Sequence, residues 1–148
     1  MLISFPNRSL TPKESTMAWT PGTWLINKTY EKGQGGPYQI DLAAQSSPYT
    51  LTIYWGGRSK SDTGAKGGAY LMFRNLDDPD AKDVQIGFAP TKREFPNNEG
   101  KKEDWIVEGA LPHHVVDGGK SVRLTCQWKV TNEKTENVFL RVRFDGYV

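Results

Sequence analysis

Three stretches of the chain gather residues that could do chemistry. The first is Gly56-Gly57-Arg58-Ser59-Lys60-Ser61-Asp62-Thr63-Gly64-Ala65-Lys66-Gly67-Gly68, with five glycines and three basic residues in thirteen. A phosphate-cradling loop needs Gly, four residues and then Gly-Lys-Ser/Thr before a helix. Here Ala65 separates Gly64 from Lys66, and the residues that follow alternate like a strand. Gly57-Arg58-Ser59-Lys60-Ser61 falls one glycine short of a nucleophile elbow and also lacks the helix that presents the serine. The stretch is therefore read as a loop between strands. Its backbone N–H groups, with Arg58, Lys60 and Lys66, could hold an anion.

The second stretch, Asp77-Asp78-Pro79-Asp80-Ala81-Lys82-Asp83, holds four carboxylates. An EF-hand loop needs glycine at its sixth position and glutamate at its twelfth. Counted from Asp78, the sixth residue is Asp83. A tight turn is the expectation, because Asp side chains bond to nearby backbone N–H groups and Pro fixes φ.

The third is His113-His114, the only histidines. Neighbours on a strand point to opposite faces, so the two do not readily share a metal. No third ligand stands at zinc spacing, and Asp117 alone does not make either histidine a general base. Cys126 is the single cysteine, so no internal disulfide forms. It alternates with Leu124 and Trp128, which marks it as a small core residue rather than a nucleophile. No catalytic set, metal site or cofactor site is read, and the chain is expected not to be an enzyme.

These residues must be positioned by strands. Val122, Leu124, Cys126, Trp128 and Val130 alternate with Arg123, Thr125, Gln127 and Lys129, and Val138, Leu140, Val142 and Phe144 alternate with Phe139, Arg141 and Arg143. The polar connector 131–137 suggests a hairpin of these two runs. Weaker runs of the same period occur at Trp24–Tyr30, Tyr38–Leu42, Thr50–Trp55, Ala69–Arg74, Val84–Phe88, Trp105–Val107 and His114–Val116. Gly33-Gln34-Gly35-Gly36-Pro37 is a turn signal between the first two. No segment of eleven or more residues keeps a 3.6-residue period with caps, so no long helix is expected. The fold class is all-β: a single-domain antiparallel β-sandwich, jelly-roll-like, of about eight strands over residues 17–148. Residues 1–16, rich in Ser, Thr and Pro without a period, are expected to form a mobile N-terminal arm.

Composition bounds the function. The chain has 148 residues, 36% hydrophobic and 24% charged, with 15 glycines and 9 prolines, which is one globular domain and not a low-complexity tail. The longest apolar run, Ala69–Phe73, is far too short for a membrane helix. Leu2-Ile3 and Phe5, followed by Pro6, do not make a secretory h-region, so cytoplasmic synthesis is expected. A net charge of +2 disfavours nucleic acid as a partner.

Two surfaces remain as binding candidates. Aromatic residues near strand ends could stack on sugar rings. Trp55 and Tyr70, with Arg58, Ser59, Asp62 and Lys66 bonding to hydroxyls, form the expected ligand site. The outer face of the expected C-terminal hairpin would carry Arg123, Gln127, Lys129, Arg141 and Arg143, an anion-binding face for a sulfated glycan or acidic lipid headgroup. Together these indicate a non-enzymatic, lectin-like carbohydrate-binding protein. A membrane-binding cytolysin or pore-forming protein is the alternative, and a self-assembling structural subunit, a homo-oligomer, is the third class.

Overall fold

The computed structural model describes residues 19–32, 38–61, 66–95, 103–131 and 134–148. The expected arm at 1–16, the turn at 33–37 and the candidate Asp62 lie outside them. Eight strands are present: β1 (Trp24–Lys32), β2 (Tyr38–Leu42), β3 (Tyr49–Ser61), β4 (Lys66–Asn75), β5 (Val84–Phe95), β6 (Glu103–Val116), β7 (Val122–Thr131) and β8 (Lys134–Tyr147). There is no helix among the described residues, and so none long and apolar enough to cross a membrane.

The strands form one antiparallel sheet in the order β1-β8-β3-β6-β5-β4-β7-β2. It curls into a nearly closed, barrel-like sheet instead of a clear two-sheet sandwich. The corner is β5. Its first half pairs with β4 up to Gly68↔Pro90, and its second half pairs with β6 from Thr91↔Val107 onward. Pro90 sits at the switch, where a residue without an N–H costs the ladder least. Among the described residues no ladder joins β1 to β2, so the barrel stays open between its two edge strands.

Two expected loops are strand. The glycine-rich stretch lies mostly within β3 and β4, leaving only 62–65 between them, and β3 pairs with β6 and β8, not with β4. The two short runs at 105–107 and 114–116 belong to one strand, β6. A bulge interrupts it, since Leu51↔His114 is followed by Ile53↔Leu111. His113 occupies the extra position with φ 57°, a left-handed conformation that bulges use. The 77–83 segment is a turn between the paired strands β4 and β5. Asp78 Oδ1 accepts from the Asp80 N–H at 2.9 Å, and Asp77 Oδ2 accepts from the Ser121 N–H at 2.7 Å.

The largest correction concerns β7 and β8. They follow one another in sequence, but β7 pairs with β4 and β2 while β8 pairs with β1 and β3. The alternation on each still holds. Leu124, Cys126 and Trp128 face the core from one side of the barrel, and Val138, Leu140, Val142 and Phe144 from the other. Trp55 ties the two sides together. Its indole lies against Gly87 and Gly109, where an added Cβ would come within 2.7 and 2.4 Å of the ring, and its Nε1 donates across the core to the Ala69 carbonyl at 3.2 Å. One end is plugged by Trp19, Tyr49, Phe144 and Tyr147, with ring centroids 4.8–5.5 Å apart along the chain of contacts from Tyr49 through Trp19 and Phe144 to Tyr147. Burial pushes the Tyr49 hydroxyl well above the usual tyrosine range.

Candidate functional site

The outer surface of β1, β8, β3 and β6 is built in rows by the ladder register. One row reads Asn27, Arg141, Tyr54, Ala110, and the next Thr29, Phe139, Gly56, Glu108. The small residues Gly56 and Ala110 leave a hollow between larger neighbours. Gly56 is required for it, because an added Cβ would come within 2.5 Å of the Phe139 ring and of the Val107 carbonyl.

The hollow is a depression of about 320 Å³ lined by Tyr54, Glu108, Gly109, Ala110, Phe139 and Arg141. A smaller one of about 170 Å³ adjoins it and shares Glu108, Phe139 and Arg141, adding Arg58 and Asn137 among others. Phe139 and Tyr54 give it aromatic walls. The Arg141 guanidinium stacks on Phe139, 4.6 Å from the ring centroid. Its Nη2 has only a long hydrogen bond to Thr29 Oγ1 at 3.4 Å, and its Nε is buried with no acceptor. Neither Arg141 nor Glu108 ion-pairs with any described residue.

Farther along the same strands the cations are engaged. Arg143 Nε donates to Asp145 Oδ1 at 2.7 Å, Thr52 Oγ1 donates to the other oxygen of Asp145, and Arg143 also lies 5.7 Å from the Trp24 ring centroid. Burial pushes the Asp145 carboxyl up, but the bonds from Thr52 and Arg143 outweigh it and hold the pKa below the usual carboxylate range.

The opposite outer face is carried by β2, β7, β4 and β5. Arg123 bonds Asp41 in a two-point fork, Nε–Oδ1 at 2.7 Å and Nη2–Oδ2 at 3.0 Å. The bond from Arg123 lowers the Asp41 pKa. Lys129 Nζ sits 5.4 Å from the Tyr70 ring centroid, and Tyr70 packs against Phe88 at 4.9 Å, with Gln127 beside Tyr70 in register. Phe88 is 45% exposed.

The residues expected to bind ligand are thus redistributed. Trp55, 2% exposed, and Ser59, 1% exposed, are buried in the core and away from the outer surface. Both fall on the inward phase of β3 once that strand continues past Gly57. Arg58 is on the outward phase and lines the smaller depression with Arg141, a pairing of residues from the two separately expected sites. Tyr70 joins Gln127 and Lys129 on the other face, while Lys66 is exposed at the start of β4. The five-residue anion face of Arg123, Gln127, Lys129, Arg141 and Arg143 does not exist as one surface, because β7 and β8 lie on opposite sides. Sequence reading missed Tyr54, Glu108 and Ala110 as neighbours of Phe139 and Arg141. The outward phase of Tyr54 was available from Leu51, Ile53 and Trp55. The place of Glu108 needed the β3–β6 register.

The other reactive side chains lie elsewhere. Cys126 is fully buried, and burial pushes its thiol to about 12, so it carries no thiolate at neutral pH. His114 packs edge-on against Phe73 at 5.3 Å, and burial lowers its pKa. Among the described residues no three His, Cys, Asp or Glu side chains gather as a metal set. Within the two depressions Glu108 is the single carboxylate among the described lining residues. Together the two depressions offer the flat walls of Phe139 and Tyr54, the cations Arg141 and Arg58, the carboxylate of Glu108 and the amide of Asn137. Comparison with protein-family models, with curated proteins and with solved structures found no match to this chain.

Proposed function

We propose that the protein is a non-enzymatic, lectin-like carbohydrate-binding protein whose site is the depression between β3, β6 and β8. One observation carries the reading: Arg141 and Glu108, neither in an ion pair with any described residue, face a hollow walled by Phe139 and Tyr54. A sugar presents an apolar C–H face and a rim of hydroxyls. Aromatic rings suit the first and charged or amide groups the second. The volume, about 320 Å³, lies at the small end of ligand pockets and suits one sugar unit at a time.

The test is a glycan array with the full chain, at low and at physiological salt, alongside Phe139→Ala and Tyr54→Ala. Binding to a defined sugar that both variants lose supports the reading. Binding that both variants retain moves the site elsewhere. Absence of binding, combined with dye release from liposomes, would replace it with the membrane-docking class, since a lectin alone leaves vesicles intact.

A further inference from the structure

We infer that the depression selects a sugar that carries one carboxylate over its neutral counterpart, with the Arg141 guanidinium as the group that reads the charge. The inference rests on the carbohydrate reading above and sharpens its ligand class.

Arg141 differs from three arginines that share its sheet. Arg143 has Asp145, Arg123 has Asp41 and Arg74 has Asp83 at 3.0 Å. Arg141 has no carboxylate among the described residues. Its one face is covered by the Phe139 ring, its Nε is shut off from water without an acceptor, and its Nη2 holds a single long bond to Thr29. A guanidinium stripped of part of its hydration, with nothing anionic in return, gains more from an incoming anion than a freely hydrated lysine would. Its remaining N–H groups lie in one plane, the geometry that matches a carboxylate.

Glu108 fixes the other end of the ligand. It lines both depressions with Arg141 but does not pair with it. A carboxylate there accepts bonds from sugar hydroxyls and repels a second negative charge. The charge pattern therefore favours a ligand with its anion at one end and hydroxyls at the other. It disfavours polyanions such as heavily sulfated chains. Phe139 and Tyr54 meet the apolar face of the ring between these two ends.

The experiment is calorimetric titration of the full chain with glucuronic acid and N-acetylneuraminic acid, against glucose, N-acetylglucosamine and glucose 6-sulfate. The expected result is at least about tenfold tighter binding of the carboxylated sugars at low salt, a preference that falls as salt rises. Arg141→Gln removes the preference. Arg141→Lys keeps the charge but loses the planar fork and retains only part of it. Equal affinity of wild-type protein for acidic and neutral sugars overturns the inference and leaves the carbohydrate reading standing. Equal affinity for the sulfated and carboxylated sugars overturns the assignment of a carboxylate. Failure to bind any of the five sugars overturns this inference, and the glycan array then decides the carbohydrate reading separately.

Discussion

The two outer faces of the barrel begin from nearly the same material. Strands β7 and β8 each alternate a buried apolar row with an outward row holding two cations, Arg123 and Lys129 on one, Arg141 and Arg143 on the other. On the β7 face the register sets Asp41 directly beside Arg123, and the pair closes on itself. On the β8 face Arg143 finds Asp145, but Arg141 lies between Asn27 and Tyr54 and finds no acid among the described residues. The difference is not one of composition. Position decides whether a cation meets a carboxylate: Arg123 finds one across the ladder on β2, and Arg143 finds one two residues along its own strand.

Five substitutions sharpen or break that contrast. Trp55→Ala should have the largest effect, because its ring fills the core between both faces and its Nε1 bonds β3 to β4. A loss of about 3–5 kcal/mol is expected, read as a lowered denaturant midpoint. The damage should reach both faces equally.

Arg141→Gln and Arg123→Gln should then separate the faces. The first is expected to weaken binding of an acidic sugar by about tenfold or more, and the second to leave it within about twofold. Matching losses would mean that the two cations serve one long-range field and that the β8 hollow is not special.

Gly56→Ala should disturb the hollow without touching its polar groups. The new methyl overlaps the Phe139 ring and the Val107 carbonyl, so a cost of about 1–3 kcal/mol is expected, together with weaker sugar binding. A stable variant that binds normally would show that Phe139 does not need its place over Gly56.

Asp41→Asn should have the smallest effect. The pair with Arg123 is largely exposed to solvent, so at neutral pH the loss is expected to be at most about 1 kcal/mol. The Asp41 pKa is lower folded than unfolded, so its contribution is full above the unfolded value of about 3.9 and is lost as pH falls through the folded value. The difference between Asp41→Asn and wild type should therefore vanish in acid, measured by urea unfolding across pH.

Much of the fold was legible in the sequence, for a local reason. Alternation of period two is written residue by residue, so the inward rows of β7 and β8, the place of Cys126 and the lack of long helices among the described residues could all be read directly. Partners could not. The polar stretch between β7 and β8 reads as a hairpin linker, yet the two strands pair with different partners, and only long-range ladders reveal it. Gly56 and Gly57 read as a loop because glycine is rare inside strands. Here they mark close approach instead: an added Cβ at Gly57 would come within 3.2 Å of Trp128 and Val138, as one at Gly56 would crowd Phe139. That reading ended β3 too early and turned Trp55 and Ser59 into surface residues. The site followed the same division. Arg58, Arg141 and the outward phase of Phe139 were readable, but their meeting with Tyr54 and Glu108 depends on the β3–β6 and β3–β8 registers.

The most direct measurement is a map of backbone amide shifts by NMR as the tightest-binding sugar is titrated in. Perturbations centred on residues 54–58, 106–110 and 137–141 are expected, with the β4 and β7 amides at 68–72 and 125–129 unmoved. Perturbations confined to 68–72 and 125–129 would place the ligand on the Tyr70 and Phe88 rings and contradict the assignment of the site to the β8 face.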